Sequence, residues 1–281
     1  MTAPPVLARA TPVAVRPRAA AALAITSLIG LVGFTWPLLT SADAPLARVG
    51  DPTLLFALLL PLVLAVVVAE LADGGMDART VAMLGVLAAA GAALRPLGTG
   101  VAGFEPIFFL LVLAGRAYGP GFGFALGATT LFASALITAG VGPWLPFQML
   151  GAAWVAAGAG LLPRRVRGRV ELAVLGAYGA AAGLLYGLLL NLTVWPFVLR
   201  GQAVTALSYV PGDAVVDNVR RFLTFTVATS LGFDIPRALL TGTLVVVTGR
   251  PILRALRRAG RRAAFDAPIT FDDPDRPTRG G

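Results

Sequence analysis

Asp213 and Asp217 stand four residues apart, and paired carboxylates of this kind can hold a magnesium ion against a diphosphate, as a membrane-embedded lipid or prenyl transferase requires. Such a site needs a richer set of acids, and no second acidic cluster occurs outside the C-terminal tail. Arg221 follows Asp217 by four, so the simpler reading of this stretch is an i,i+4 ion pair on a loop helix. Asp73 and Asp77 flank Gly74-Gly75 and read as a solvated turn. Cysteine and histidine are both absent, and every one of the 23 basic residues is an arginine. That removes thiolate and imidazole chemistry, the zinc, haem and iron–sulfur sites built on them, and the phosphate-loop lysine of an ATPase. The expectation is a protein that is not an enzyme, with no resident metal and no cofactor.

Binding chemistry is better represented. Gln148 closely follows Gly142-Pro143-Trp144-Leu145-Pro146-Phe147, and Asn191 lies one turn before Trp195. Aromatic rings beside amides suit a flat, polar organic ligand, with stacking for area and amides for orientation. The same residues also fit a plainer role, with Trp at a membrane interface and an amide bonding a neighbouring helix. Arg95 and Glu105 flank one loop, spaced either for an ion pair or for ligand contact. Glu70 falls near the end of an apolar run and can snorkel. Ala88/Ala92 and Ala89/Ala93 are small-xxx-small pairs that let another helix approach closely, whether inside the chain or on a partner.

The elements that carry these residues are membrane helices. Of 281 residues, 57% are hydrophobic and 13% charged, with a mean hydropathy of +0.81. A soluble domain carries about a quarter charged residues. Apolar runs at 19–40, 53–72, 80–94, 105–118, 122–139, 145–162, 171–199 and 235–249 predict about eight spans in an all-α polytopic bundle. The runs at 80–94 and 105–118 are short for a hydrocarbon layer of about 30 Å, which suggests tilt, a broken helix or re-entry. With both termini cytoplasmic, only Arg48, Arg95, Arg200, Arg220, Arg221 and Arg237 face outward, and the positive-inside rule is satisfied. The net charge of +9 therefore orients a protein in the cell membrane rather than binding nucleic acid. Residues 1–18 read as a cytoplasmic arm, 19–78 as an N-terminal transmembrane hairpin, 79–258 as the membrane core, and 259–281 as a disordered cytoplasmic tail.

Residues 79–258 resemble the substrate-binding S component of energy-coupling factor (ECF) vitamin transporters. The likeness rests on an Ala-rich helix running into Arg95-Pro96-Leu97-Gly98, then Glu105-Pro106 opening the next helix. Gly115-Arg116-Ala117-Tyr118-Gly119-Pro120, Gly142-Pro143-Trp144 and Pro146-Phe147-Gln148-Met149 follow in order. Thr229-Ser230-Leu231-Gly232-Phe233-Asp234, entering a last helix that ends in arginines, is similar too. The resemblance implies a six-helix S-component core to which residues 19–72 add two helices. It also implies a capture subunit for a vitamin or related micronutrient, with cobalamin slightly preferred over thiamine precursors and riboflavin. The substrate would sit at the outer helix ends near Trp144, Gln148, Asn191, Trp195, Arg95 and Glu105, under the 95–104 and 200–233 loops. Ala88, Ala89, Ala92 and Ala93 would dock the transmembrane T component, and two separate ATPase subunits would hydrolyse ATP.

The eight-span reading places Arg95-Pro96 on the outer face. Cysteine-accessibility mapping is expected to label a cysteine introduced at Leu97 from outside intact cells; labelling only from the cytoplasm would remove this topology.

Overall fold

The computed structural model describes residues 17–39, 59–65, 67, 78–98, 101–199 and 206–264. These residues are helices and turns, with no strand among them. The order is α1 (Pro17–Leu39), α2 (Ala78–Leu94), a 3-10 turn (Arg95–Gly98), α3 (Ile107–Tyr118), α4 (Pro120–Ile137), α5 (Leu145–Leu161), α6 (Gly168–Val198), α7 (Val215–Thr229) and α8 (Leu231–Ala264). Most of the 53–72 run lies outside the described residues, as do residues 1–16, Asp43, Arg48, Asp51, Glu70, Asp73, Asp77, Arg200 and residues 265–281. Residues 259–264, read from the sequence as the start of a disordered tail, instead continue α8.

Among the described residues, five helices are long and apolar enough to cross a membrane: Ala20–Leu39, Ala78–Gly98, Pro120–Ile137, Gly168–Val198 and Leu231–Arg261. The 80–94 run is thus longer than the sequence suggests, because the helix starts two residues earlier and continues into the 3-10 turn. Ile107–Tyr118 and Leu145–Leu161 are shorter apolar helices. In hydrocarbon, a helix is how a single segment satisfies its own backbone N–H and C=O groups. Large apolar side chains such as Leu28, Val86, Leu185, Leu239 and Val247 point out of the bundle, where bilayer lipid is their natural solvent. This is a membrane-embedded helical bundle.

α3 lies at its centre. Ile107, Phe108 and the run Leu110–Gly115 are all buried, sheathed chiefly by α5, α8 and α4. A helix surrounded by protein does not have to match the bilayer thickness, which explains how so short an element serves a membrane core. The most extensive contact joins α4 to α5, followed by α6 to α8. Lipid tails are as apolar as leucine, so helices here gain by close packing rather than by escape from water. Gly115 on α3 and Gly123 and Gly127 on α4 let both helices lie against the α5 backbone: a Cβ at Gly123 would stand 2.7 Å from the Ala156 carbonyl oxygen, and one at Gly127 would meet that of Ala152.

The N-terminal helix is docked on this core. Phe34 is fully buried and meets Phe147 and Trp154 of α5 at ring-centroid distances of 5.1 and 5.3 Å. Ser27 Oγ accepts a hydrogen bond from Trp154 Nε1 at 3.0 Å. Leu59, Val63 and Val67, spaced by four, are buried in the same cluster. This is the stripe expected of one helical face.

Gly127→Leu is expected to destabilise the fold by at least about 1–3 kcal/mol, the usual range for overpacking, read as a lower temperature at which the monodisperse gel-filtration peak is lost. Gly85→Leu is the control and should leave that temperature unchanged, since a Cβ there meets nothing within 4 Å.

Candidate functional site

The short helix α3 ends in charge on both sides, and the two ends are built differently. At the first, Arg237 in α8 donates from Nε to Glu105 Oε2 at 3.0 Å and from Nη2 to Oε1 at 3.3 Å. Its Nη1 also donates to Asp234 Oδ1 at 2.6 Å, one turn back on the same helix. The Arg237 and Asp234 side chains are 8% and 5% exposed, whereas Glu105 is 34% exposed. The guanidinium lies 5.4 Å from the ring centre of Tyr186, which packs edge-on to Phe108 at 4.6 Å. Gly187 makes room for this cluster, because a Cβ there would strike the Asp234 carboxylate and stand 2.7 Å from Arg237 Nη1.

Arg95 joins the same region, within electrostatic reach of Tyr186 together with Glu105 and Arg237. Of the two roles their spacing allows, an ion pair or ligand contact, Arg95 and Glu105 do not form the first: Glu105 takes Arg237 in a two-point fork, and Arg95 Nη2 donates to Gln148 Oε1 at 3.1 Å. The first turns of α8 bring the Arg237 guanidinium to Glu105 so that two N–H donors meet its two carboxylate oxygens, the bidentate pairing arginine favours. Among the described residues, Arg95 Nη1 is left buried with no partner, and so is Asn191 Nδ2. Asn191 stands one turn beyond Gly187 on the same face of α6, since residues four apart share a face.

The two tryptophans do different work. Trp195 is fully buried. Its Nε1 donates to Leu207 O at 2.6 Å, and its ring meets Tyr209 and Phe222 at 5.3 and 5.4 Å. It therefore pins residues 206–214 and α7 onto α6, and its ring is not open to a ligand in this conformation. Trp144 is 46% exposed and donates to the Gly140 carbonyl in its own turn. Among the described residues, no hydrogen bond or ring contact joins Trp144 or Gln148 to Asn191 or Trp195. The four residues occupy one end of the bundle without forming one constellation.

The small-residue pairs on α2 separate as well. Ala88 and Ala92 are buried, in line with Leu84 and Gly91, on the face packed against α4. Ala89 and Ala93 are exposed on the opposite side with Gly85. Only the latter pair is open to a partner helix.

Asp213 and Asp217 do not converge on a metal position. Arg221 Nη1 donates to Asp213 Oδ2 at 2.6 Å, and Asp213 Oδ1 accepts the Ala214 N–H at 2.9 Å. The expected i,i+4 partner of Arg221 was Asp217, which instead lies 3.9 Å from Arg220. The cause is Asn218, whose side chain bonds both the N–H and the carbonyl of Val210 and folds that turn, with Asp213, back over α7. Hydrogen bonding by Arg221 and the Ala214 N–H holds the Asp213 carboxyl below the usual carboxylate range. Its stabilising share is complete above the ordinary carboxylate pKa of about 3.9 and is lost as pH falls through the lowered value. Among the described residues, no three His, Cys, Asp or Glu side chains gather to hold a metal ion.

At the other end of α3, Arg116 is 5% exposed and donates from Nε to Glu171 Oε1 at 2.7 Å. Its remaining donors take the carbonyls of Leu162 at 2.7 Å, Pro163 at 3.1 Å and Val166 at 3.2 Å. Arg257 of α8 reaches the same Glu171 oxygen at 2.6 Å, and Tyr118 Oη donates to the Leu256 carbonyl at 2.8 Å. The residues that sequence reasoning missed are Arg237, Asp234, Tyr186 and this Arg116–Glu171–Arg257 knot. The signals were present: Asp234 and Arg237 have i,i+3 spacing, and Arg116 is an arginine within an apolar run.

Compared with protein-family models, curated proteins and solved structures, the chain matches none.

Arg237→Ala would leave Asp234 buried without its cation. The expected loss is about 3–5 kcal/mol, as for other broken buried pairs, read by thermal unfolding in detergent. Stability equal to the parent would show that the cluster holds nothing together.

Proposed function

We propose that this chain is the substrate-capture subunit of an ECF-type importer in the cell membrane. It would bind a vitamin or related micronutrient from outside, with cobalamin the first to try. The observation that carries the reading is two buried donors with no partner among the described residues, Arg95 Nη1 and Asn191 Nδ2, at the end of the bundle that also holds Glu105, Gln148 and the Arg237 cluster. Buried polar groups without partners are costly in a membrane bundle and mark places where a polar substrate completes the bonding. A vitamin's carbonyl, carboxylate or phosphate oxygens would satisfy such N–H groups, and Glu105 would accept from a substrate donor. The turn over Trp195 and α7 would form the lid, and its opening would expose the Trp195 ring.

The exposed Ala89/Ala93 side of α2 would meet the transmembrane T component, and two ATPase subunits would supply the energy. The smooth apolar exterior suits a subunit that topples in the bilayer to release its cargo. The lipid or prenyl transferase alternative with magnesium loses its footing because Asp213 is engaged by Arg221 and Asp217 lies beside Arg220.

Mass spectrometry of small molecules retained by gently purified protein is expected to find a vitamin or its precursor; a polyprenyl lipid in its place would overturn the proposal. With that ligand in hand, Arg95→Ala should weaken binding by about 1.5–3 kcal/mol, the range for hydrogen bonds to charged groups. Ala89→Trp should leave binding intact and abolish uptake.

A further inference from the structure

The Arg116 knot has a consequence at the surface of the bundle. Its guanidinium collects the carbonyls of Leu162, Pro163 and Val166, which fixes the backbone of the α5–α6 loop from inside. Arg164, Arg165, Arg167 and Arg169 on that loop and at the start of α6 are all exposed. None of them forms an ion pair among the described residues, and the nearby acid Glu171 is already shared by Arg116 and Arg257. An open cleft of about 530 Å³ lies beside the loop, lined by Pro120, Gly160, Leu161, Pro163, Arg164 and Arg165, with Leu162. Beside it α5 packs closely on the α3–α4 junction: a Cβ at Gly160 would stand 2.7 Å from Gly119 C and Pro120 N. One wall is therefore cationic and the rest is apolar, with Leu161 73% exposed.

We infer that this cleft binds the headgroup phosphate of an anionic phospholipid, with Arg164 and Arg165 on the phosphate and an acyl chain along Leu161. Three features select a lipid over a soluble anion. The cleft lies where α5 ends, at the level where an apolar helix surface gives way to charge. Its lining joins guanidinium to hydrocarbon, which matches an amphiphile. The arginines are held by a clamped loop, so little ordering remains to oppose binding. Guanidinium groups suit phosphate because they present paired donors in a rigid fork. The inference is independent of the transport reading, since it uses neither the Arg237 end nor a substrate.

The test is native mass spectrometry of the full chain, delipidated in neutral detergent. It is titrated separately with dioleoyl phosphatidylglycerol, dioleoyl phosphatidylcholine and inorganic phosphate. The parent should form a saturable phosphatidylglycerol adduct, and Arg164→Gln/Arg165→Gln should weaken it at least about tenfold, given roughly 1 kcal/mol per arginine at an anionic surface. Arg254→Gln/Arg258→Gln removes the same charge from exposed positions elsewhere on α8 and should change the adduct little. Equal weakening by both pairs, equal binding of phosphatidylcholine, or inorganic phosphate binding as tightly as the lipid would each overturn the site. Among the described residues neither Arg164 nor Arg165 has an ion-pair or hydrogen-bond partner to lose, and if the double variant aggregates, Arg165→Gln alone carries the same comparison.

Discussion

α3 is held in place by charge at both of its ends, and the arrangement of the other helices follows from that. A helix of twelve residues rises about 18 Å, well short of a hydrocarbon layer of about 30 Å. Glu105, just before it, takes the fork of Arg237, and Arg116 in its last turn takes Glu171 and three loop carbonyls. Both anchors involve α8, through Arg237 at one end and through Arg257 and the Leu256 carbonyl at the other. Along α8, Arg237 and Arg257 are separated by about 30 Å of helix rise. The long arginine stems reach back toward α3, and this lets a short central helix sit inside a shell that is long enough for a bilayer.

The two clusters differ in their charge balance. At the Arg237 end the guanidiniums of Arg237 and Arg95 accompany two carboxylates, Glu105 and Asp234, and at the Arg116 end one carboxylate serves two guanidiniums. The polarity of the buried charges thus runs in the same sense as the loop arginines, with the surplus of positive charge at the Arg116 end. Between the layers the packing is almost wholly apolar. Glycines open the way for helix backbones there, because side-chain volume rather than hydrophobicity limits how closely helices approach in lipid.

This separation assigns different mechanical characters to the two ends. At the Arg116 end, a single side chain gathers three carbonyls and a carboxylate into a rigid joint. At the Arg237 end, the polar groups come from the 3-10 turn after α2, the residue pair before α3, and α5, α6 and α8, and among the described residues Arg95 and Asn191 keep donors without a partner. The cover over α6 is a separate small apolar cluster of Leu192, Trp195, Phe222 and Phe225. This cluster is distinct from the main core, and Leu38 of α1 packs against it as well.

Composition and periodicity were enough to identify helices, a membrane setting and the approximate extent of most elements. Apolar runs and breaking Gly-Pro pairs act locally, so Gly119-Pro120 marks the start of α4 whatever surrounds it. Which polar side chains meet was not legible, because that depends on contacts between residues far apart in the chain. Glu105 and Arg237 are 132 positions apart, and nothing local distinguishes that pairing from Glu105 with the nearer Arg95. The same holds for α2, where Ala88 and Ala89 are alike in composition and only the position of α4 decides which faces inward. Trp195 was legible as an aromatic at a helix end, but its burial depends on Asn218 folding the 206–214 turn back over α6 and α7. Helix formation in lipid is a property of the segment; the pairing of its few charges belongs to the assembled bundle.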